Sequence, residues 1–440
     1  SGSNAYTGLT TISAGTLKNG AAGVISDSSA VQIANGATWD LADYSETVAS
    51  IANVTGNTTG AISLGSATLS LGGSSTTTFS GAISGTGGIT LLSTYSGIQT
   101  LAGTSSYTGV TTINAGTLSV SSLADGGSNS NIGASTNSAA NLVLGGGTLK
   151  YTGSDVTIDR GFTLTNSTTG TIEVSTSSAT LTISGASAST SGALTKTGSG
   201  TLTLSGSNAY TGLTTISAGT LKNGAAGVIS DSSAVQIANG ATWDLADYSE
   251  TVASIANVTG NTTGAISLGS ATLSLGGSST TTFSGAISGT GGITLLSTYS
   301  GIQTLAGTSS YTGVTTINAG TLSVSSLADG GSNSNIGAST NSAANLVLGG
   351  GTLKYTGSDV TIDRGFTLTN STTGTIEVST SSATLTISGA SASTSGALTK
   401  TGSGTLTLSG SNAYTGLTTI SAGTLKLGAA GGSTNTPLGT

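Results

Sequence analysis

The sequence predicts an all-β chain wound as a parallel β-solenoid and built from tandem repeats. Three observations predict it. A long segment recurs verbatim, apolar residues alternate with polar ones over short runs, and glycine-containing turns punctuate those runs. Ser1 to Leu204 is identical to Ser205 to Leu408, and a third copy opens at Ser409 and diverges after Lys426. Repetition on this scale marks an architecture in which each unit buries its apolar face against a neighbour.

Composition fits. Of 440 residues, 71 are Gly and one is Pro; Cys, Met and His are absent, and only 6% are charged. Thr, Val and Ile are plentiful, which favours pleated strands, and Gly, Ser and Asn supply turns. Regular Leu, Ile and Val pairs separate the chain from a flexible Gly/Ser linker. No run of 18 apolar residues occurs, so no membrane-spanning helix is expected. The net charge of −7 opposes nucleic-acid binding, which needs clustered Lys and Arg. A chain free of Cys suits secretion without disulfides.

The strands follow in order from period-two alternation. Val31 alternates with Ile33, and Ala37, Trp39 and Leu41 form the next run. Ile62/Leu64, Leu69/Leu71, Leu142/Leu144, Val156/Ile158, Phe162/Leu164, Ile172/Val174, Leu181/Ile183 and Leu202/Leu204 continue the pattern. Between them lie Gly-Gly, Asn-Gly, Ser-Gly and Thr-Gly turns. Separate β-sandwich domains of about 100 residues are the competing architecture, but no linker-like boundary divides the halves. Stacked coils of about 20–25 residues, rising ~4.8 Å each, would advance roughly 45 Å per 204-residue unit. Leu, Ile, Val and Ala would then stack inside, Thr, Ser and Asn would form ladders outside, and glycines would turn the corners.

An older duplication lies inside each unit. Tyr6, Tyr107 and Tyr210 each open Y-T-G-[LV]-T-T-I-[SN]-A-G-T-L, and AVQIANGATWDL from Ala30 aligns with AANLVLGGGTLKY from Ala139. The expected organisation is unit 1 at 1–204, with half-units of about 1–101 and 102–204, an identical unit 2 at 205–408, and the start of a further unit at 409–440. The motif incomplete at Ser1 reads as a window on a longer array. The structural positions of the repeat are Gly198, Gly200, Leu202, Leu204, Gly206, Asn208, Tyr210, Gly212, Ile216, Gly219 and Leu221.

Chemistry is sparse, and no catalytic residue, cofactor or metal site is assigned. Asp40, Asp43 and Glu46 near Trp39 and Tyr44, or Asp155 and Asp159 beside Arg160, are the carboxylate groupings a polysaccharide-cutting β-helix would need. The plainer reading makes Trp39 a core side chain and the acids a solvated loop. Serines abound, but no His or Cys is present to activate one. Gly145-Gly146-Gly147 lacks the strand–loop–helix context of a phosphate loop. Asp125-Gly-Gly lacks the acid spacing of a calcium loop. Asn53, Asn57 and Asn166 head N-glycosylation patterns that so Thr-rich a chain contains by chance.

The run from Gly198 to Leu221, GSGTLTLSGSNAYTGLTTISAGTL, closely resembles the autotransporter-associated β-strand repeat, also called the passenger-associated transport repeat. Two strong copies, two diverged copies from Gly85 and Gly289, and one truncated copy at the start are present. The resemblance implies a right-handed β-helix in a bacterial cell-surface or secreted passenger, often adhesive. The expected function is an extracellular structural rod, stalk or adhesin shaft, and not an enzyme. The alternatives are a multivalent glycan- or surface-binding module and a polysaccharide-degrading enzyme. The expected partners are neighbouring repeats and further copies assembling into filaments, with any glycan or surface ligand bound outside this chain.

Overall fold

Two parallel strands cannot be joined by a tight turn. This chain meets that constraint by turning a corner after each short strand and pairing one circuit later. Leu69–Leu71 pairs with Ile89–Leu91. Between them lie Thr77–Phe79, which pairs with Ile98–Leu101, and Ile83–Ser84, which pairs with Ala61–Ser63. Three sheets thus enclose one interior, and the coil is a parallel β-solenoid. The computed structural model describes residues 2, 4–428 and 436–439. The expected further unit at 409–440, and the start of the chain at Ser1, therefore lie partly outside the described residues. Among those described, every strand ladder is parallel. The helical elements among the described residues are two single 3₁₀ turns, Ala139–Asn141 and Ala343–Asn345.

The chain forms two compact units, Ser1–Val228 and Ile229–Thr440. In the first, Leu71, Leu91, Ile113, Leu144 and Leu164 stack in one interior column. Leu181, Leu202 and Leu221 form another. All eight are essentially inaccessible to solvent. The second unit repeats the first column as Leu275, Leu295, Ile317, Leu348 and Leu368. Burying each such side chain contributes ~1.5–3 kcal/mol. Outward positions stack in the same register, giving hydroxyl ladders such as Thr180, Thr201 and Thr220.

Two features depart from uniform coils. Thr117–Val120 pairs with Thr148–Tyr151 across a longer excursion, so one coil carries an inserted loop. Polar side chains also enter the interior. Gln99 lies directly over Thr77, and its amide reaches on to Ile51, two coils back. The Ile51 N–H donates to Gln99 Oε1 at 3.3 Å, and Gln99 Nε2 donates to the Ile51 carbonyl at 3.1 Å. A side-chain amide here makes the pair of bonds a neighbouring strand would make. In the second unit Gln303 does the same for Ile255.

Replacing Gln99 by Leu leaves both Ile51 groups buried without partners, at a cost of about 1–3 kcal/mol each. Hydrogen exchange should show the Ile51 amide losing protection in Gln99→Leu while Ile113 keeps its own. Unchanged protection at Ile51 would contradict the assignment.

Candidate functional site

The strong repeat spans four strands: Ala193–Thr197, Thr201–Leu204, Thr214–Ile216 and Thr220–Asn223. Leu202, Leu204, Ile216 and Leu221 point inward and are buried. Gly198 and Gly219 adopt φ of +74° and +64° at successive corners, a left-handed conformation that side-chain-bearing residues rarely take. Gly200, Gly206 and Gly212 lie where a Cβ would collide with the backbone of the preceding coil, at Thr176, Gly185 and Gly192.

Asn208 and Tyr210 tie the coils together. Asn208 is buried; its Oδ1 accepts the Ser187 N–H at 3.0 Å, and its Nδ2 donates to Gly206 O and to Val228 O at 2.9 and 2.8 Å. It thus bridges the coil before and the coil after. The corresponding Asn412 accepts from Ser391 N and donates to Pro437 O. In the diverged copy Ser105 stands at this position and accepts from Ile83 N, while Asn131 from the inserted loop supplies the second amide to Gly103 O. Tyr210 packs its ring near Phe162, with centroids 6.5 Å apart, and its hydroxyl meets Thr214 Oγ1 at 2.8 Å. The same tyrosine-to-threonine bond recurs at Tyr6, Tyr107, Tyr311 and Tyr414.

The structure adds a residue the sequence reading missed. Lys196 alternates with Thr195 and Thr197, so its side chain enters the interior, where its register neighbours are Ile172 and Ile216. Its Nζ donates to Thr197 O, Gly198 O and Ala218 O at 2.7, 2.9 and 3.1 Å. The three donors of one ammonium therefore hold two successive corners. Burial pushes its pKa down to about 8, partly offset by the Glu173 carboxylate. Lys400 repeats the three bonds. The available signal was Lys in phase with Leu194, on the inward side of a period-two strand.

The carboxylate groupings do not assemble into a catalytic pair. Trp39 is completely buried, and its Nε1 donates to Asn19 Oδ1 at 3.0 Å. Asp43 is exposed and accepts from Ser66 N, and Asp40 faces Lys18 at 3.6 Å. Glu46 corrects the expectation of a solvated acid, because it occupies an inward position over Leu69 and is buried. Its Oε2 accepts from Asn19 Nδ2 and Val24 N at 2.8 and 3.0 Å, while Oε1 has no hydrogen-bond partner. Burial raises its pKa despite these donors. Arg160 is buried in the inserted loop, bonded to the carbonyls of Ala124, Asp125, Ser128 and Gly133 and to Ser135 Oγ. Asp125 and Asp159 each accept a backbone N–H across that loop, from Asp159 and Gly126. Among the described residues no group of three or more His, Cys, Asp or Glu is placed to hold a metal.

The sequon asparagines serve as cross-coil acceptors: Asn53 from Ser80 N, Asn57 from Asn35 N and Asn166 from Ser191 N. A shallow groove of about 560 Å³ lies at the corner formed by Thr152, Gly153, Ser154, Asp155, Thr176 and Ser178, and a counterpart lies at Thr356 to Ser382. No helix among the described residues is long and apolar enough to cross a membrane.

Two pH dependences follow, of opposite sign. The Lys196 pKa is lower in the fold than its ordinary ~10.4, so stability should rise as pH climbs from about 8 towards 9.5. Lys196→Met with Lys400→Met should abolish that rise in the denaturant midpoint, and a rise that persists would contradict the carbonyl cage. The Glu46 pKa is raised, so its contribution is complete below ~4.3 and is lost as pH rises through the folded value. Glu46→Gln with Glu250→Gln should raise the midpoint at pH 7 and flatten its dependence on acidification. A lower midpoint at pH 7 would show that the carboxylate is required as an ion.

Comparison with known proteins agrees with this geometry. The sequence model of the passenger-associated-transport-repeat family matches residues 1–18, 91–120, 194–222, 295–324 and 398–427, the five places where the motif stands. The adhesin BmaC autotransporter of Brucella suis biovar 1 (strain 1330) is 42% identical over 374 residues, which is 84% of this chain and 11% of that protein. This chain therefore spans about a ninth of the length of that relative. No solved structure matches it. The chain thus carries the passenger-associated transport repeat at five places.

Proposed function

We propose that this chain is a shaft segment of a surface passenger: a non-catalytic, extracellular β-solenoid at a bacterial cell surface that supplies length and stiffness. The observation that carries the reading is the in-register stacking of an identical polar and apolar pattern, coil on coil, in each unit. Such stacking runs the backbone hydrogen bonds along the coil axis, so bending or stretching strains a continuous ladder. The similarity to an autotransporter adhesin supports the surface location. The Lys196, Asn208 and Tyr210 positions act as fasteners between coils, and the 204-residue repeat is the increment of length. The side chains richest in chemical potential, Glu46, Lys196 and Arg160, are buried and bonded to the protein's own backbone, which supports a structural role over an enzymatic one.

A second reading, a glycan-binding module, draws on the hydroxyl-lined groove from Thr152 to Asp155 and its copy in the other unit. A glycan array separates the two. Strong, saturable binding by this chain that Asp155→Ala with Asp359→Ala abolishes would favour the module.

Electron microscopy of chains carrying increasing numbers of the 204-residue repeat is the direct test of the shaft. A thin rod should lengthen by roughly 45 Å per repeat. A string of separate beads would overturn the reading.

A further inference from the structure

We propose that the strandless segment 20–28 is a proton-controlled latch, closed over the interior while Glu46 is neutral and released when Glu46 ionises. The proposal goes beyond the shaft reading and does not depend on it. Glu46–Val48, Leu69–Leu71, Ile89–Leu91 and Thr111–Ile113 follow one another along one sheet. The circuit before Glu46–Val48 runs from Thr16–Lys18 to Ala30–Ile33 without a third strand. Val24 and Ile25 fill that place and are buried. Gly20, Ala22 and Gly23 beside them are exposed.

A side chain holds this segment where a strand ladder would stand elsewhere. The Val24 N–H donates to Glu46 Oε2 at 3.0 Å, and Asn19 Nδ2 donates to the same oxygen at 2.8 Å. The Gly23 N–H reaches Ser45 O at a longer 3.4 Å. Gln99 fills a like role at Ile51, but its amide both accepts and donates. A carboxylate only accepts, and Glu46 Oε1 is buried with no partner. Neutral, Glu46 leaves an uncharged group in the interior. Ionised, it places there a charge whose second oxygen meets neither a donor nor water, which is the costly case. Release of 20–28 lets water reach that oxygen.

Among the described residues no cation pairs with Glu46. The charged groups on the elements around it are turned elsewhere. Lys18 pairs with Asp40 at 3.6 Å, Asp43 accepts from Ser66 N, and Asp27 is exposed. Leu69–Leu71 brings no charge. Burial is the largest influence on the Glu46 carboxyl and raises its pKa against the donors at Val24, Ile25, Thr47 and Asn19. Asp43 goes the other way, because the Ser66 backbone N–H holds it below the usual range. It therefore stays ionised while Glu46 titrates.

The latch has a built-in reporter. Asn19 also accepts the Trp39 Nε1–H through Oδ1 at 3.0 Å, so one side-chain amide joins Glu46 to the indole. Val24, Ile25 and Trp39 are all buried in the closed form. The second unit keeps the contact: Ile229 N–H donates to Glu250 Oε2 at 3.4 Å, and Trp243 is completely buried. Trp39 and Trp243 are the two tryptophans of the chain, so its emission reads both latches. Because the Glu46 pKa is raised in the closed form, closure is fully favoured below ~4.3. The open fraction should climb about tenfold per pH unit from there to the raised value, then level off.

Tryptophan emission and hydrogen exchange of the full chain, followed from about pH 4 to about pH 9, test this. In the wild type the emission should move to longer wavelength as pH rises. The Val24 and Ile25 amides should lose protection, after correction for the intrinsic pH dependence of exchange, while Ile113 keeps its own. Glu46→Gln with Glu250→Gln should hold both readouts at their acid values throughout. Asp43→Asn with Asp247→Asn, and Asp27→Asn with Asp231→Asn, should keep the wild-type transition. Circular dichroism melts confirm that each variant is folded. A wild type whose emission and protection stay flat, a transition that survives the glutamine changes, its loss in either aspartate variant, or protection lost at Ile113 together with Val24 would each overturn the proposal.

Discussion

The structure depends on one constraint: parallel pairing in register places each side chain over its equivalent in the next coil. From that follow the interior columns of Leu and Ile, and also the character of the surface. A charge repeated in every coil would sit ~4.8 Å from its like neighbours, whereas threonine repeated in every coil does not repel. The low charge content is a consequence of the architecture. On the outer face, Lys150 is answered by its register neighbour Glu173, and Lys18 by Asp40.

The interior obeys a second rule. A polar group taken out of water must find partners there. Lys196, Gln99 and Asn208 meet this by spending their donors on backbone groups of more than one coil, and Arg160 by spending its donors on carbonyls of the inserted loop. Each of the first three converts the burial of a polar group into a tie between coils. The three backbone carbonyls around Lys196 belong to the end of the strand Ala193–Thr197 and to the corners beside it. Glu46 departs from this rule, with one oxygen unanswered.

Much of this was legible in the sequence. The alternation of Leu202 with Thr203, the corner glycines at Gly198 and Gly219, and the recurrence of Tyr210-Thr-Gly specify a stacked β-coil directly, because period-two placement and φ > 0 are local properties. Trp39 as a core residue was legible for the same reason. The polar interior was not. Whether Lys196 turns inward depends on its phase relative to Leu194, and whether it survives there depends on carbonyls at Gly198 and Ala218 that only the folded corner brings together. Glu46 misled because Tyr44 and Asp43 make its surroundings look like an exposed loop, while one coil on its register position is occupied by Leu69. The loop held by Arg160 was also hidden, since its oxygens come from backbone carbonyls that carry no sequence signature.

The central claim is that residues far apart in sequence stand a fixed number of coils apart along one axis. Thr47, Ser70, Thr90, Thr112, Val143 and Thr163 form a continuous register column within the first unit. Because the chain has no cysteine, spin labels can be placed at Thr47→Cys and Thr163→Cys alone. Electron–electron double resonance should return a narrow distance distribution centred near ~24 Å, five coil spacings. A broad distribution, or a peak far beyond that distance, would contradict the stacked-coil account.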